Sequence, residues 1–175
     1  MDNIQIVPVQ ISDADSLLQL SLSTFLDFFG PPVNEQKNID AYTSIAFTPE
    51  KILSELMNPD SRFYFARDGE EIAGYIKLNF NAAQNEFKDP QALEIERIYV
   101  SRAHHKKQIG SQLINFAINT ALNKKMDYIW LGVWEHNHRA ISFYERNGFR
   151  LVGRHNFMLG DDVQTDLLMR RELYP

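Results

Sequence analysis

Glu94-Ile95-Glu96-Arg97-Ile98-Tyr99-Val100, carried through Ser101-Arg102-Ala103 into His104-His105-Lys106-Lys107-Gln108-Ile109-Gly110, is the stretch whose reading decides the fold. Its first part reads as a strand and its second as a basic loop. Beyond the loop, Leu113, Ile114, Ala117, Ile118, Ala121 and Leu122 fall on one face of a helix expected over Ser111 to Leu122. A strand, loop and helix in that order leave unpaired backbone N–H groups at the helix start, where an anion would approach. Gly110 lets the backbone come close to a ligand, while Lys106 and Lys107 add charge that needs no fixed geometry. The expected ligand is a phosphate or pyrophosphate. The loop is neither a Gly-x-x-x-x-Gly-Lys-Ser/Thr loop nor a Gly-x-Gly-x-x-Gly turn. Taken alone, it reads equally well as a solvated basic turn ahead of a helix.

Working outward, residues 4–8 alternate as a short strand, and Ser12 and Asp13 offer caps for a helix carrying Leu17, Leu18, Leu22, Phe25, Leu26 and Phe29. Gly30-Pro31-Pro32 ends it. A second helix is expected around Ile39 to Phe47, and a third from Thr48-Pro49-Glu50 to a point before Pro59. Arg62 to Arg67 and Glu71 to Phe80 read as strands joined at Asp68-Gly69. After the helix at 111, strands are expected over Tyr128 to Trp134, Arg150 to Met158 and Thr165 to Leu173. A short helix, Arg139 to Arg146, is closed by Asn147-Gly148. The pattern implies a mixed α/β domain, 1–175, built on one sheet.

The chain has 175 residues, 44% hydrophobic and 23% charged, with 18 Lys+Arg against 23 Asp+Glu and no cysteine. That composition suits a globular core and excludes a disordered chain, disulfides and a cysteine nucleophile. No apolar run approaches the roughly 18 residues that span a bilayer. Met1-Asp2-Asn3-Ile4 lacks the start of a signal peptide, so a cytoplasmic protein is expected. The net charge of −5 is uneven: residues 97–126 contain no acid and carry +6, leaving −11 elsewhere. Such a split suits a protein that holds an anion in one place and receives a cation in another.

The second informative stretch is Asn137-His138-Arg139-Ala140-Ile141-Ser142-Phe143-Tyr144-Glu145-Arg146-Asn147-Gly148-Phe149. With the loop at 104–110, it resembles the GCN5-related N-acetyltransferases (GNAT), whose signature Asn-x-x-Ala-x-x-Phe-Tyr-x-x-x-Gly-Phe it matches throughout. The loop departs from the family's Gln/Arg-x-x-Gly-x-Gly/Ala at two positions: His105 replaces the first residue and Gln108 the first glycine. A narrower resemblance, carried by Leu93 to Val100, Ile129 to Glu135 and Gly160 to Leu167, is to the PaiA group of bacterial spermidine/spermine N-acetyltransferases. The resemblance implies a single-domain acyl-CoA N-acyltransferase fold, a mixed and mostly antiparallel sheet flanked by helices. It also implies acetyl-CoA as cosubstrate and a small-molecule amine, preferably a polyamine, as acceptor.

An alkyl ammonium of pKa about 10.4 is neutral only about once in 10³ at neutral pH, so acetyl transfer benefits from a base. Glu96 is the expected base, directly or through water, with Glu94 as alternate; both carboxylates equally read as attracting a cation or pairing with arginine. Strand alternation puts both on one face with Ile98 and Val100 if no bulge intervenes. By the resemblance, the backbone at Ile98, Tyr99 and Val100 pairs with the pantetheine arm. His105, Lys106, Lys107, Gln108, Ile109, Gly110 and Ser111 hold the phosphates, and Asn137 bonds the cofactor near that arm. Tyr144 is implied as general acid toward the sulfur, against the bland reading of a core tyrosine. Trp134, Glu135, Phe28 and Phe29 are candidates for an acceptor pocket, and Asp161, Asp162 and Asp166 for a carboxylate cluster.

The histidines lack the companions of a metal site, no serine sits in a nucleophile elbow, and three consecutive basic residues are too few for a nucleic-acid surface. The expected activity is therefore direct transfer of acetyl to an amine, with no nucleic acid, membrane or metal, and with a homodimer left open. The alternatives are another small amine or a protein amine as acceptor, and a regulatory protein that senses acetyl-CoA or polyamine.

Overall fold

A computed structural model describes residues 4–105 and 107–174; Lys106, expected to add charge to the loop, lies outside them. The elements follow the order β1 (Ile4–Pro8), α1 (Ala14–Phe29), α2 (Gln36–Ala46), α3 (Pro49–Met57), β2 (Ser61–Asp68), β3 (Glu71–Asn79), β4 (Ala92–Val100), α4 (Ile109–Asn123), β5 (Tyr128–Trp134), α5 (His138–Arg146), β6 (Arg150–Leu159) and β7 (Asp162–Glu172). The strands form one sheet in the order β1-β2-β3-β4-β5-β7-β6. Every neighbouring pair is antiparallel except β4 and β5. The mixed, mostly antiparallel sheet expected from the sequence is the one observed. Among the described residues, no helix is long and apolar enough to cross a membrane.

Helix α4 lays Leu113, Ile114, Ala117 and Ala121, all fully buried, on one sheet face against Ile76, Leu78 and Ile95. The other face carries α1 and α3, with Leu17 and Ile52 packed on Phe63, Phe65 and Tyr75. Each fully buried Leu or Ile contributes about 1.5–3 kcal/mol. Thr48 caps α3 by accepting from Lys51 N at 3.1 Å, with Pro49 at the first helical position, as its sequence implies.

Two local features shape the site. Pairing of β3 with β4 passes from Lys77↔Arg97 to Leu78↔Ile95, so Glu96 is the extra residue of a β-bulge. The bulge overturns the expected shared face. Glu94 lies on the face bearing Asn79, Lys77, Arg97 and Tyr99, whereas Ile98 and Val100 pack on the α4 side. Second, β4 and β5 pair only from Ala92↔Tyr128 to Ile95↔Leu131. Beyond that point β4 stays with β3 as far as Val100↔Gly74, and β5 stays with β7 as far as Trp134↔Asp166. The two central strands part, and their facing backbone edges lose each other as partners.

The β6–β7 hairpin turns at Gly160-Asp161, with Leu159 opposite Asp162. Gly160 has φ +64°, and a Cβ there would fall 2.5 Å from Asn38 Oδ1. Only glycine meets both conditions. Strand β7 thus begins three residues earlier than the sequence suggested, and the three carboxylates are split. Asp161 bonds Lys37 at 3.3 Å and Asp162 accepts from Gln164 at 2.9 Å, both away from Asp166.

Candidate active site

A cavity of about 420 Å³ opens where β4 and β5 part. Ile98 and Tyr99 reach it from β4, Gly132 and Trp134 from β5, and Asn137 and Tyr144 from the next turn and α5. The rest of its lining is aromatic and acidic: Phe25 and Phe29 from α1, Tyr42 from α2, and the carboxylates of Glu86, Glu94, Glu96 and Asp166. Phe29 lies 4.9 Å from Phe25 and 5.9 Å from Trp134 by ring centroids, so α1 and β5 line it together. Phe28, beside it, packs on Tyr99 at 5.7 Å.

The two β4 carboxylates are tied down. Glu96 Oε2 lies 2.6 Å from Lys77 Nζ and accepts from Asn79 Nδ2 at 2.6 Å, while Oε1 lies 3.3 Å from Arg97. Burial alone would raise its pKa, but Arg97 and Lys77, with the bonds from Lys77 and Asn79, hold the carboxyl below its ordinary value. Arg97 also forks onto Glu55 of α3 at 3.0 and 3.1 Å, and Lys77 lies 3.3 Å from the same carboxylate. Two acids and two buried cations thus neutralise one another beneath α3, with the exposed Lys51 a further 3.8 Å partner of Glu55. A carboxylate engaged in this way is a poor proton acceptor, so the structure moves Glu96 from the expected base to an ion-pair partner. Pairing with arginine was the other reading of the sequence. Glu94 accepts from Asn79 Nδ2 at 3.0 Å, Asn85 N at 2.9 Å and Asn85 Nδ2 at 2.8 Å. Burial raises its pKa, against those bonds.

Glu135 is turned away from the cavity. It follows Trp134 at the end of β5, where successive side chains alternate sides, and its carboxylate lies 3.4 Å from exposed Arg154. The expected acceptor contact at Glu135 is therefore not formed, whereas Trp134 and Phe29 do line the cavity.

At the loop, Gln108 takes a left-handed conformation, φ 55° and ψ 21°, immediately before α4. This is the backbone for which the family's glycine is suited, and it costs a non-glycine residue about 1–2 kcal/mol. No side chain caps the helix start. A Cβ at Gly110 would meet nothing nearer than Phe143 Cζ at 3.9 Å, so packing within the chain does not demand glycine there. His105 reaches back with Nε2 to the Val100 carbonyl at 3.1 Å, and Lys107 pairs with Asp68. The +6 stretch is not one patch. Arg97 is inside the buried network, and Lys124 and Lys125 follow the far end of the 15-residue α4, about 22 Å from its start.

Asn137 caps α5, its Oδ1 accepting from Ala140 N at 3.2 Å. Its Nδ2 has no hydrogen-bond partner among the described residues. Tyr144 is buried between Phe143 and Phe149, at 5.4 and 5.9 Å, and burial pushes its phenol up, so it stays protonated at any working pH. The uncapped helix start, the open space at Gly110 and the unpaired edge of β4 are together suited to a long, phosphate-bearing ligand with an amide arm.

Residues 22–149 match the model of the acetyltransferase (GNAT) family, and the chain belongs to that family. It is 38% identical over 99% of both chains to an uncharacterized N-acetyltransferase from the pepI 3' region of Lactobacillus delbrueckii subsp. lactis. It is 24% identical, over 85% of this chain and 89% of the other, to a spermidine N(1)-acetyltransferase of Thermoplasma acidophilum. The fold is similar to that of the Thermoplasma acidophilum PaiA N-acetyltransferase in complex with coenzyme A, with TM-score 0.77 and 22% identity over 97% and 99% of the two chains. The protein is accordingly an acetyl-CoA-dependent N-acetyltransferase.

Several contributors to the site escaped the sequence reading, Lys77, Asn79, Glu86 and His155 among them. Asn79 and Lys77 come from β3 and engage Glu96 only through the bulged register. His155 of β6 reaches the cavity because β6 and β7 follow β5 in the sheet. Asp166, which the sequence offered only within a carboxylate cluster with Asp161 and Asp162, alternates with the buried Gln164 and Leu168 and so is the acid of the three at an inward strand position.

Proposed function

We propose that the protein transfers the acetyl group of acetyl-CoA to a primary amine of a polyamine, spermidine or spermine. The observation that carries this reading is the cavity where β4 and β5 part. It borders the unpaired strand edge, and its lining combines aromatic faces with the carboxylates of Glu86, Glu94 and Asp166, Glu96 being neutralised by Lys77 and Arg97. Aromatic faces and carboxylates together suit a flexible, multiply charged cation. The similarity to a spermidine N(1)-acetyltransferase supports the same acceptor.

Acetyl-CoA supplies the activated thioester. In this reading the backbone of Ile98, Tyr99 and Val100 aligns the amide arm, and a β4 N–H stabilises charge developing on the carbonyl oxygen. The N–H groups opening α4, at Ile109, Gly110 and Ser111, receive the phosphates beside Lys107. Asn137 keeps its Oδ1 on the helix cap and offers Nδ2 to the arm. Tyr144 gives its proton to the departing thiolate, a donor role open to a phenol that is protonated throughout.

Thiol release from acetyl-CoA with spermidine, and mass analysis of the product, tests the reading. Spermidine-dependent release with acetylspermidine as product is expected. Acetyl-CoA binding without turnover on spermidine or on a panel of other amines would instead favour a sensing role.

A further inference from the structure

We propose that Asp166 is the base that takes the proton of the acceptor's ammonium group, and that His155, oriented by Glu86, passes it to solvent. The proposal rests on the amine-acetylation reading above. Of the four carboxylates lining the cavity, Glu96 is held by Lys77 and Arg97, Glu94 accepts three hydrogen bonds, and Glu86 is bonded to His155 Nδ1 at 2.5 Å. Asp166 accepts no hydrogen bond from any described residue. Its one ionic neighbour is His155 Nε2, 3.9 Å from Oδ2. Its side chain is 24% exposed and borders the cavity.

Asp166 is also in the right place. Its Oδ2 would lie 3.4 Å from a Cβ on Gly132, the first β5 residue after the last pair with β4. The free carboxylate therefore stands at the point where the strands part. Gly132 leaves room beside it that any other residue would fill. Burial, opposed only by His155, raises the Asp166 carboxyl to about 6, closer to an amine than an ordinary carboxylate is. The charged and titratable groups around it are His155 of β6, Glu86 of the loop before β4, Tyr42 of α2, and Glu94, Glu96 and Arg97 of β4. Arg97 is committed to Glu55 and Glu96.

His155 Nδ1 is bonded to Glu86, and Nε2, 3.9 Å from Asp166 Oδ2, is the ring nitrogen that takes up the proton across one bridging water. The ammonium gives one proton to Asp166 Oδ2. The neutral amine nitrogen then forms the C–N bond to the acetyl carbon as the C–S bond breaks. A second nitrogen proton is lost as the amide forms, and Tyr144 protonates the thiolate and is reprotonated by that proton. The first proton leaves through His155, which is 31% exposed, so each turnover releases one proton to solvent.

The test measures kcat and acceptor KM for spermidine across the pH range in wild type and Asp166→Asn, with melting curves to show that both are folded. Asp166→Asn is expected to lose about 100-fold or more in kcat, with KM changed less than about threefold, and to lose the acidic limb of the kcat profile. His155→Gln is expected to lower kcat less and to keep that limb. An Asp166→Asn enzyme that retains both the limb and a near-wild-type kcat overturns the proposal. Wild type inactive on spermidine would count against the polyamine reading only. The same kcat profiles are then taken with an amine of the panel that wild type does acetylate, and ¹³C NMR titration of aspartate-labelled protein checks the raised carboxyl separately. A carboxyl titrating near pH 6 and missing from Asp166→Asn, together with loss of kcat and of the acidic limb on that amine, upholds the base assignment. No aspartate titrating above about pH 5 overturns it.

Discussion

Lys77 Nζ lies 2.6 Å from Glu96 Oε2 across the bulge of β4, and the lysine side chain is 5% exposed. Because Lys77 also touches Glu55, removing it leaves Glu55 and Glu96 with Arg97 as their one buried cation, helped only by the half-exposed Lys51 3.8 Å from Glu55. Breaking a buried ion pair from one side typically costs about 3–5 kcal/mol. Lys77→Met is expected to destabilise by about that much in urea unfolding, whereas Lys77→Met with Glu96→Gln should recover part of the loss.

The pH dependence of stability should show two opposite contributions. Glu96 has a folded pKa below its ordinary 4.5, so its stabilisation is complete above that value and is lost as pH falls through the folded pKa. Asp166 runs the other way. Its carboxyl is raised from 3.8 to about 6, so the folded chain holds a proton that the unfolded chain releases, and stability declines as pH rises through that window. Asp166→Asn is therefore expected to be about 2–3 kcal/mol more stable than wild type near pH 8, with the difference closing below about pH 4. Urea unfolding at the two pH values checks it.

Gly110 separates packing from ligand approach. Since a Cβ there meets only Phe143 at 3.9 Å, Gly110→Ala should stabilise α4 by up to about 1 kcal/mol. It should nevertheless raise the KM for acetyl-CoA about tenfold, by holding the ligand off the backbone. Melting curves beside acetyl-CoA titrations read both effects.

The Tyr144 hydroxyl makes no hydrogen bond to a described residue, so Tyr144→Phe should leave the melting temperature nearly unchanged. If the hydroxyl is the acid, kcat should fall about 10²-fold while acetyl-CoA affinity stays within about twofold. Equal loss of both would make the hydroxyl structural.

Periodicity and punctuation carried most of the fold. The apolar stripe of α4, the Thr48-Pro49 start of α3 and the Asn147-Gly148 stop of α5 are local signals, and the chain obeys them. The site was less legible because it depends on register. One extra residue at Glu96 turned the expected base into an ion-pair partner and moved Ile98 and Val100 to the opposite face. Net charge misled for a related reason: the basic run is contiguous in sequence, but a strand and a long helix distribute it over separate places. His155 and Asp166 are partners across the β6–β7 hairpin, but Glu86 meets them from the loop before β4, which no local pattern announces.

With no cysteine in the chain to carry an acetyl group, the account requires acetyl-CoA and amine to be bound together. Initial rates of thiol release over a grid of acetyl-CoA and spermidine concentrations test this directly. Double-reciprocal lines that intersect, with acetylspermidine as product, are the expected result. Parallel lines, or release that does not depend on spermidine, would contradict it.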